Sequence, residues 1–269
     1  MDLWEALLLG AIQGLTEWLP ISSSAHLVIL QELLSCRSVL LDAVVHGGTL
    51  LSVLLTSRAD VIRVLKGFFR SLAEVRAKED LPHESKLAWY LLIATIPAAS
   101  VGLLLADRVE AAFNPRTAAL GLLLNSLILY STKWARERGS LDLKRALLIG
   151  LAQTASLLPG ISRSGSTISA GLLSGLRREE AVSFSFLLSV PIIAGALILE
   201  VLRSPLNEVL STVTIAGFLS SFVVGLAAIR FLISSVRRGK LHWFSYYCLL
   251  LAIATLSLSF ICWSLPSPA

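Results

Sequence analysis

Two stretches of this sequence carry side chains suited to acting together on a phosphate group. The first runs Gln13-Gly14-Leu15-Thr16-Glu17-Trp18-Leu19-Pro20-Ile21-Ser22-Ser23-Ser24-Ala25-His26 and the second Pro159-Gly160-Ile161-Ser162-Arg163-Ser164-Gly165-Ser166-Thr167. Together they supply an anion in Glu17, a titratable imidazole in His26 and a permanent cation in Arg163. Hydroxyls stand around these groups at Ser22, Ser23, Ser24, Ser162, Ser164, Ser166 and Thr167. A guanidinium forks onto phosphate oxygens. Helices starting just after Pro20 and Pro159 would aim backbone N–H groups and positive dipole ends at the same space. A glutamate beside an anion site needs a reason. A bridging divalent cation or a general-base role supplies one.

Taken singly, each residue has an ordinary explanation. Serine and threonine in membrane helices commonly hydrogen-bond the backbone or a neighbouring helix. A lone Arg–Glu pair can simply neutralise itself. His46, in His46-Gly47-Gly48-Thr49, reads as a packing or supporting group rather than a catalyst, and Gln153 has only its place in a repeat to recommend it. The combination resists that treatment, because Glu17, His26 and Arg163 on broken, proline-containing segments are costly at membrane depth.

The elements that must position these groups lie in a membrane. Of 269 residues, 55% are hydrophobic and 15% charged, against about 25% charged in soluble domains. Apolar segments fall at about 3–31, 38–57, 87–106, 117–133, 146–176, 181–202, 212–233 and 243–263, near the roughly 20 residues needed to cross a bilayer. The net charge of +5 marks cytoplasmic loops rather than a nucleic-acid surface, since no aromatic-interleaved basic patch exists. Cys36, Cys248 and Cys262 lack metal spacing and are expected to pack. The opening residues carry no basic region, so no cleaved signal peptide is expected. Residues 58–86 place Val61, Leu65, Phe68, Leu72 and Val75 at helical spacing, which predicts an amphipathic helix on the membrane face.

Segments 3–31 and 146–176 are interrupted by the two polar stretches. Backbone freed by proline and glycine survives in lipid only when buried in protein or lining a wet cavity, so each segment is expected to be a re-entrant helical hairpin. The two also echo one another. Ala6-Leu7-Leu8-Leu9-Gly10 with Gln13 recurs as Ala146-Leu147-Leu148-Ile149-Gly150 with Gln153, and Leu91–Pro97 more weakly echoes Ser185–Pro191. An internal duplication follows, with one repeat over about 1–133 and the other over about 144–265 of a single membrane domain. With six spans and two hairpins, one membrane face receives 17 Lys and Arg and the other 4. The basic face is cytoplasmic. The expected fold is therefore all-α, with six transmembrane helices and two oppositely oriented re-entrant hairpins in an inverted-topology repeat.

At these residues the sequence resembles the undecaprenyl-diphosphatase (bacitracin-resistance) family. Gln13-x-x-x-Glu17 with Leu19-Pro20-Ile21-Ser22-Ser23-Ser24-Ala25-His26 is similar to its first motif and Pro159–Thr167 to its second, and the likeness spans the whole chain. The resemblance implies hydrolysis of undecaprenyl diphosphate to the monophosphate with release of inorganic phosphate. That reaction recycles a lipid carrier for cell-wall polymers and confers bacitracin resistance. It also implies a divalent cation, Mg²⁺ or Ca²⁺, and a plasma-membrane site opening to the outer (periplasmic) side. Glu17, Ser23, His26 and Arg163 match the family's catalytic positions, with Ser23 as proposed nucleophile. Ser22, Ser24, Ser162, Ser164 and Thr167 would bind substrate, and Gln13 with Glu17 would bind metal. Many members have glutamate where this chain has Gln13, which cannot ionise and would hold a cation more weakly, and glycine where it has Ala25.

Two mechanisms stay open on the residues alone. Ser23 attacks phosphorus, or Glu17 activates water; His26 serves as acid, base or orienter. A carrier or flippase of a phosphorylated polyprenyl lipid is the competing reading, since opposed hairpins suit transport as well. The expected partners are the polyprenyl diphosphate and membrane lipids, with no nucleic acid and a homodimer left open.

Overall fold

The computed structural model describes residues 2–73 and 82–262, with side chains to residue 259. Their regular structure is helical throughout. Five helices are long and apolar enough to cross a membrane: α3 (Val39–Thr56), α5 (His83–Leu104), α10 (Arg178–Arg203), α12 (Thr212–Arg237) and α13 (Phe244–Cys262), the last with its leading turn. The chain is thus an all-α, multi-pass membrane protein. The segment expected as a sixth span is α7 (Pro115–Ser131), of 17 residues. At 1.5 Å per residue it reaches about 25 Å, short of a hydrocarbon core of about 30 Å.

Each polar stretch interrupts a pair of shorter helices. The first lies between α1 (Leu3–Trp18) and α2 (Ser23–Leu34), the second between α8 (Leu143–Ala155) and α9 (Arg163–Leu173). Local chemistry dictates both breaks. Asp2 and Glu5 close a reciprocal capping box on α1. After the sixteen residues of α1, Pro20 forces Leu19 into extended backbone (φ −67°, ψ 143°), which ends the helix. Ser22 and Ser162 then restart α2 and α9, each accepting the N–H three residues on, from Ala25 and Gly165. The first hairpin runs to Leu34, three residues beyond the expected 31, and ends on left-handed Ser35.

Small residues set the depth of the first hairpin. Gly10 and Gly14 on α1 face Gly217, Ser221 and Gly225 on α12, so closely that an added Cβ at either would strike α12 backbone. This is the spacing that lets membrane helices approach without a hydrophobic driving force. Trp18, at the end of α1, reaches the level of Gly225, midway along α12. The second hairpin uses the same device, with Gly150 on α8 against Ala94 on α5. Helices α7 and α13 pack side by side, as do α3 and α10.

Helix α7 measures how far the two breaks penetrate. Gly121 lies against Pro159 and Gly160 of the second break, and Asn125, one turn on, touches both breaks. The two polar tips therefore overlap at the centre of the molecule. Gly160 has φ +97°, and a side chain there would strike the Ala118 carbonyl, so conformation and space both demand glycine.

One expectation is refined and another corrected. Helix α4 (Arg58–Ala73) does form over residues 58–86, but it meets α5 through Gly67, Ser71 and Phe68, with Ser85 donating to the Gly67 carbonyl and Trp89 to Ser71. Leu65 and Leu72 are exposed with Ile62 and Phe69, so α4 keeps an apolar outer face as an amphipathic helix on a membrane would, but Val61 and Phe68 of the expected stripe turn inward. Small residues, not large ones, give the closest approach to α5. Val75 lies outside the described residues. The weaker echo also breaks down. Pro97 sits inside α5, the second long helix after one hairpin, whereas Pro191 sits inside α10, the first after the other. Those helices do not occupy equivalent places.

Candidate active site

At the overlap of the tips, the Glu17 carboxylate binds groups from both polar stretches. Arg163 donates Nη2–H to Oε1 at 2.6 Å across 146 residues of chain. Oε2 accepts the Ser23 hydroxyl at 2.7 Å and the Gln13 amide at 3.0 Å. The pair is buried, with 6% of the Glu17 side chain and 12% of Arg163 exposed. The Arg163 guanidinium lies 5.5 Å from the Trp18 ring centre, and Trp18 is held by a hydrogen bond to Ser52 and an edge contact with Phe186. The cation thus lies over an aromatic face as well as being paired.

The guanidinium is not fully spent. Nη1 of Arg163 is buried without a hydrogen-bond partner. An unpaired buried donor of this kind costs about 1–3 kcal/mol, and a phosphate oxygen is the acceptor it is shaped to take. Oε1 of Gln13 is also buried without a partner. Three donors occupy Glu17, which leaves one of its roughly four lone-pair directions open. Glu17 and Gln13 Oε1 are therefore the oxygens that could hold a divalent cation. Among the described residues no cluster of three His, Cys, Asp or Glu exists that would cage one. The donor set fits the open mode in which one carboxylate and substrate phosphates share the ion.

The hydroxyls are less free than their types suggest. Ser22 and Ser162 are engaged as helix caps, and each lies 3.1 Å from the hydroxyl two residues on, Ser24 and Ser164. Ser164 also reaches the Leu19 carbonyl at 3.3 Å, tying one break to the other. Ser166 and Thr167 donate to the Arg163 carbonyl, and Thr167 lies 2.6 Å from Ser185 on α10. Ser22 adopts φ +66°, a conformation costing about 1–3 kcal/mol that is held where surroundings over-determine it. Ser23 differs: its hydroxyl points at Glu17.

The histidines are placed contrary to their sequence ranking. His26 makes its two ring contacts with the Ser22 carbonyl at 2.7 Å and the Tyr247 hydroxyl at 2.7 Å, and stacks on the Tyr247 ring. The carbonyl can only accept, so Nδ1 carries the proton and Nε2 accepts from Tyr247. His46 is the histidine against Glu17, with Nε2 3.6 Å from Oε2 and 31% of its side chain exposed. Its Nδ1–H donates to the Asp42 carbonyl at 2.6 Å. Gln153, the repeat counterpart of Gln13, is buried with both amide atoms unpartnered and touches none of these groups by hydrogen bond.

Asn125 is a site residue that motif reading passes over. It is fully buried on α7, donates to the Pro20 carbonyl at 2.9 Å and accepts the Ser162 N–H at 3.1 Å. The available signal was a lone carboxamide within the apolar run 117–133.

The family described as bacitracin resistance protein BacA matches residues 6–254. A protein of Korarchaeum cryptofilum named undecaprenyl-diphosphatase is 52% identical over 261 residues, covering 96% of this chain and 100% of the relative. Proteins of the same name from Rubrobacter xylanophilus and Methanosphaera stadtmanae are 43% and 35% identical. They cover 94% and 97% of this chain, and 96% and 99% of themselves.

Proposed function

The chain belongs to the BacA bacitracin-resistance family, and on that premise we propose that it hydrolyses undecaprenyl diphosphate to undecaprenyl phosphate and inorganic phosphate. The product is a lipid carrier for cell-wall polymers. One observation carries the assignment to this site: a single buried carboxylate, Glu17, grips Ser23 from one tip and Arg163 from the other. The relatives' names favour hydrolysis over carriage, and the opposed hairpins serve either activity.

Ser23 is the nucleophile in this proposal. Its proton already lies on the Glu17 carboxylate side, so Glu17 takes it as general base while the hydroxyl oxygen attacks the terminal phosphorus. A serine–phosphorus bond forms as the bond to the bridging oxygen breaks, and undecaprenyl phosphate leaves. Water then attacks the phosphoserine and leaves as part of the inorganic phosphate, while Glu17 gives its proton to the departing Ser23 oxygen and is a carboxylate again. Nη1 of Arg163 and the first amides of α2 and α9 hold the phosphoryl oxygens as their charge shifts. Ser22, Ser24, Ser162, Ser164 and Thr167 shape this cradle chiefly by fixing the two breaks. His26, tied to Tyr247, orients the start of α2. A Mg²⁺ or Ca²⁺ ion, when bound to Glu17 and Gln13 Oε1, would neutralise diphosphate charge.

The topology belongs to the same proposal. The hairpins are re-entrant, enter from opposite faces and are related by an inverted repeat, with α7 as a sixth span. What supports this is the exchange in packing: α1 lies on α12 and α8 on α5, while α7 with α13 and α3 with α10 cross the junction of the halves. The membrane is the plasma membrane and the site opens to the outer side. Support comes from the 17-to-4 distribution of Lys and Arg and from His46, partly exposed in the first half of α3. Both motifs come from one chain, so the reaction needs no second copy.

The test is phosphate release from undecaprenyl diphosphate by the purified full chain, followed by acid quench and mass analysis of Ser23. Wild type should accumulate phosphoserine at Ser23, and Ser23→Ala should lose both intermediate and turnover. Turnover by Ser23→Ala at the wild-type rate would establish direct attack by water.

A further inference from the structure

We infer that Asn125 is a positioning residue for the hydrolysis: its carboxamide sets the register of the two breaks and so holds Arg163 against Glu17 and Ser23. The inference rests on the reading of the site proposed above. Asn125 belongs to neither motif and lies on α7, a helix that supplies no proposed reacting group.

The bonds are specific in kind. The Pro20 carbonyl can only accept and the Ser162 N–H can only donate, so one planar amide satisfies both and in a single orientation. The same N–H₂ group lies 3.3 Å from Cys248 Sγ on α13, and that thiol in turn faces the Pro20 carbonyl at 3.7 Å. Both bonded groups are backbone atoms released by the breaks, where lipid offers no substitute. Both sit next to the chemistry. Ser162 directly precedes Arg163, and Pro20 lies three residues from Glu17 and three from Ser23. Besides the Glu17–Arg163 pair, the other direct hydrogen bond between the breaks among the described residues is the longer one from Ser164 to Leu19.

A loss of register falls on the transition state more than on binding. The apolar tail anchors substrate wherever the tips sit, whereas phosphoryl transfer needs Ser23, Glu17 and Arg163 together. Leucine matches asparagine in shape but has no donor or acceptor.

Asn125→Leu should be assayed in the full chain for phosphate release from undecaprenyl diphosphate, with kcat and KM resolved and the melting temperature recorded. The expected result is a kcat roughly tenfold to a hundredfold lower, the scale of a misplacement of about 1 Å, with KM within about twofold. Because the effect acts through Arg163, it should shrink markedly in an Arg163→Lys background. A purely structural loss would carry the same factor in both backgrounds, and that result overturns the inference. Asn125→Ala removes both bonds with less bulk than leucine, so its kcat should fall to about the level of the Leu variant. It also serves where the Leu variant does not fold. A wild-type kcat in either folded variant overturns the inference and leaves the function intact. A wild type that releases no phosphate overturns the function and the inference with it.

Discussion

Arg163→Lys separates charge from geometry at the centre of the site. Arginine here does three things at once: Nη2 pairs with Glu17 at 2.6 Å, Nη1 is left for a phosphate oxygen, and Cζ lies 5.5 Å from the Trp18 ring centre. Lysine keeps the positive charge but offers one compact ammonium, which must choose between carboxylate and phosphate. Losing one preorganised donor at developing negative charge costs about 2.7–4 kcal/mol, which corresponds to roughly 10²–10³ in kcat. Glu17 stays neutralised, so the stability loss should be only about 1–3 kcal/mol from the missing charged hydrogen bond and the ring contact. The assay is steady-state phosphate release from undecaprenyl diphosphate in detergent, with thermal unfolding as the control for folding. Turnover within about threefold of wild type, under about 1 kcal/mol of barrier, would refute the role given to the guanidinium fork.

Glu17→Gln preserves volume but removes the base, and kcat should fall by roughly 10²–10⁴. It also leaves Arg163 buried without its counter-charge, so the melting temperature should drop by the equivalent of about 3–5 kcal/mol, readable by thermal unfolding. Gln13→Glu places a second carboxylate beside Glu17, and the Mg²⁺ or Ca²⁺ concentration restoring activity after chelation should fall severalfold; an unchanged midpoint would remove Gln13 from the cation site. Gly160→Ala meets both a positive φ and the Ala118 carbonyl, so it should destabilise the protein by at least about 1–3 kcal/mol. A melting temperature equal to wild type would show that the second tip is not packed as described.

Much of the architecture was legible because the bilayer imposes local rules. Span length, the break at Pro20 and the glycine at position 160 are written in short windows of residues, and lipid tolerates few ways of satisfying a broken backbone. The small-residue face of α1, Gly10 and Gly14, is equally local, though its partner on α12 is not. Residue types alone could not rank His26 against His46. Both sit in helices, and which imidazole faces Glu17 depends on how α2 and α3 are rotated against α1, α10 and α13. Nor could they show that α4 brings Gly67 and Ser71 against α5 while leaving Leu65 and Leu72 exposed.

By itself, then, the amino-acid order determined that the chain lives in lipid, that it breaks twice at polar tips, and that those tips carry an acid, a hydroxyl and a cation. Tertiary structure alone decided which atoms of those groups meet. Glu17 and Arg163 are 146 residues apart, and their contact at 2.6 Å depends on two hairpins stopping at the same depth. That depth is set by backbone-close packing on α12 and α5, and by one buried amide, Asn125, that bonds to both breaks. Such contacts leave no periodic trace in a sequence, because a single side chain of the right length and polarity is enough to make them.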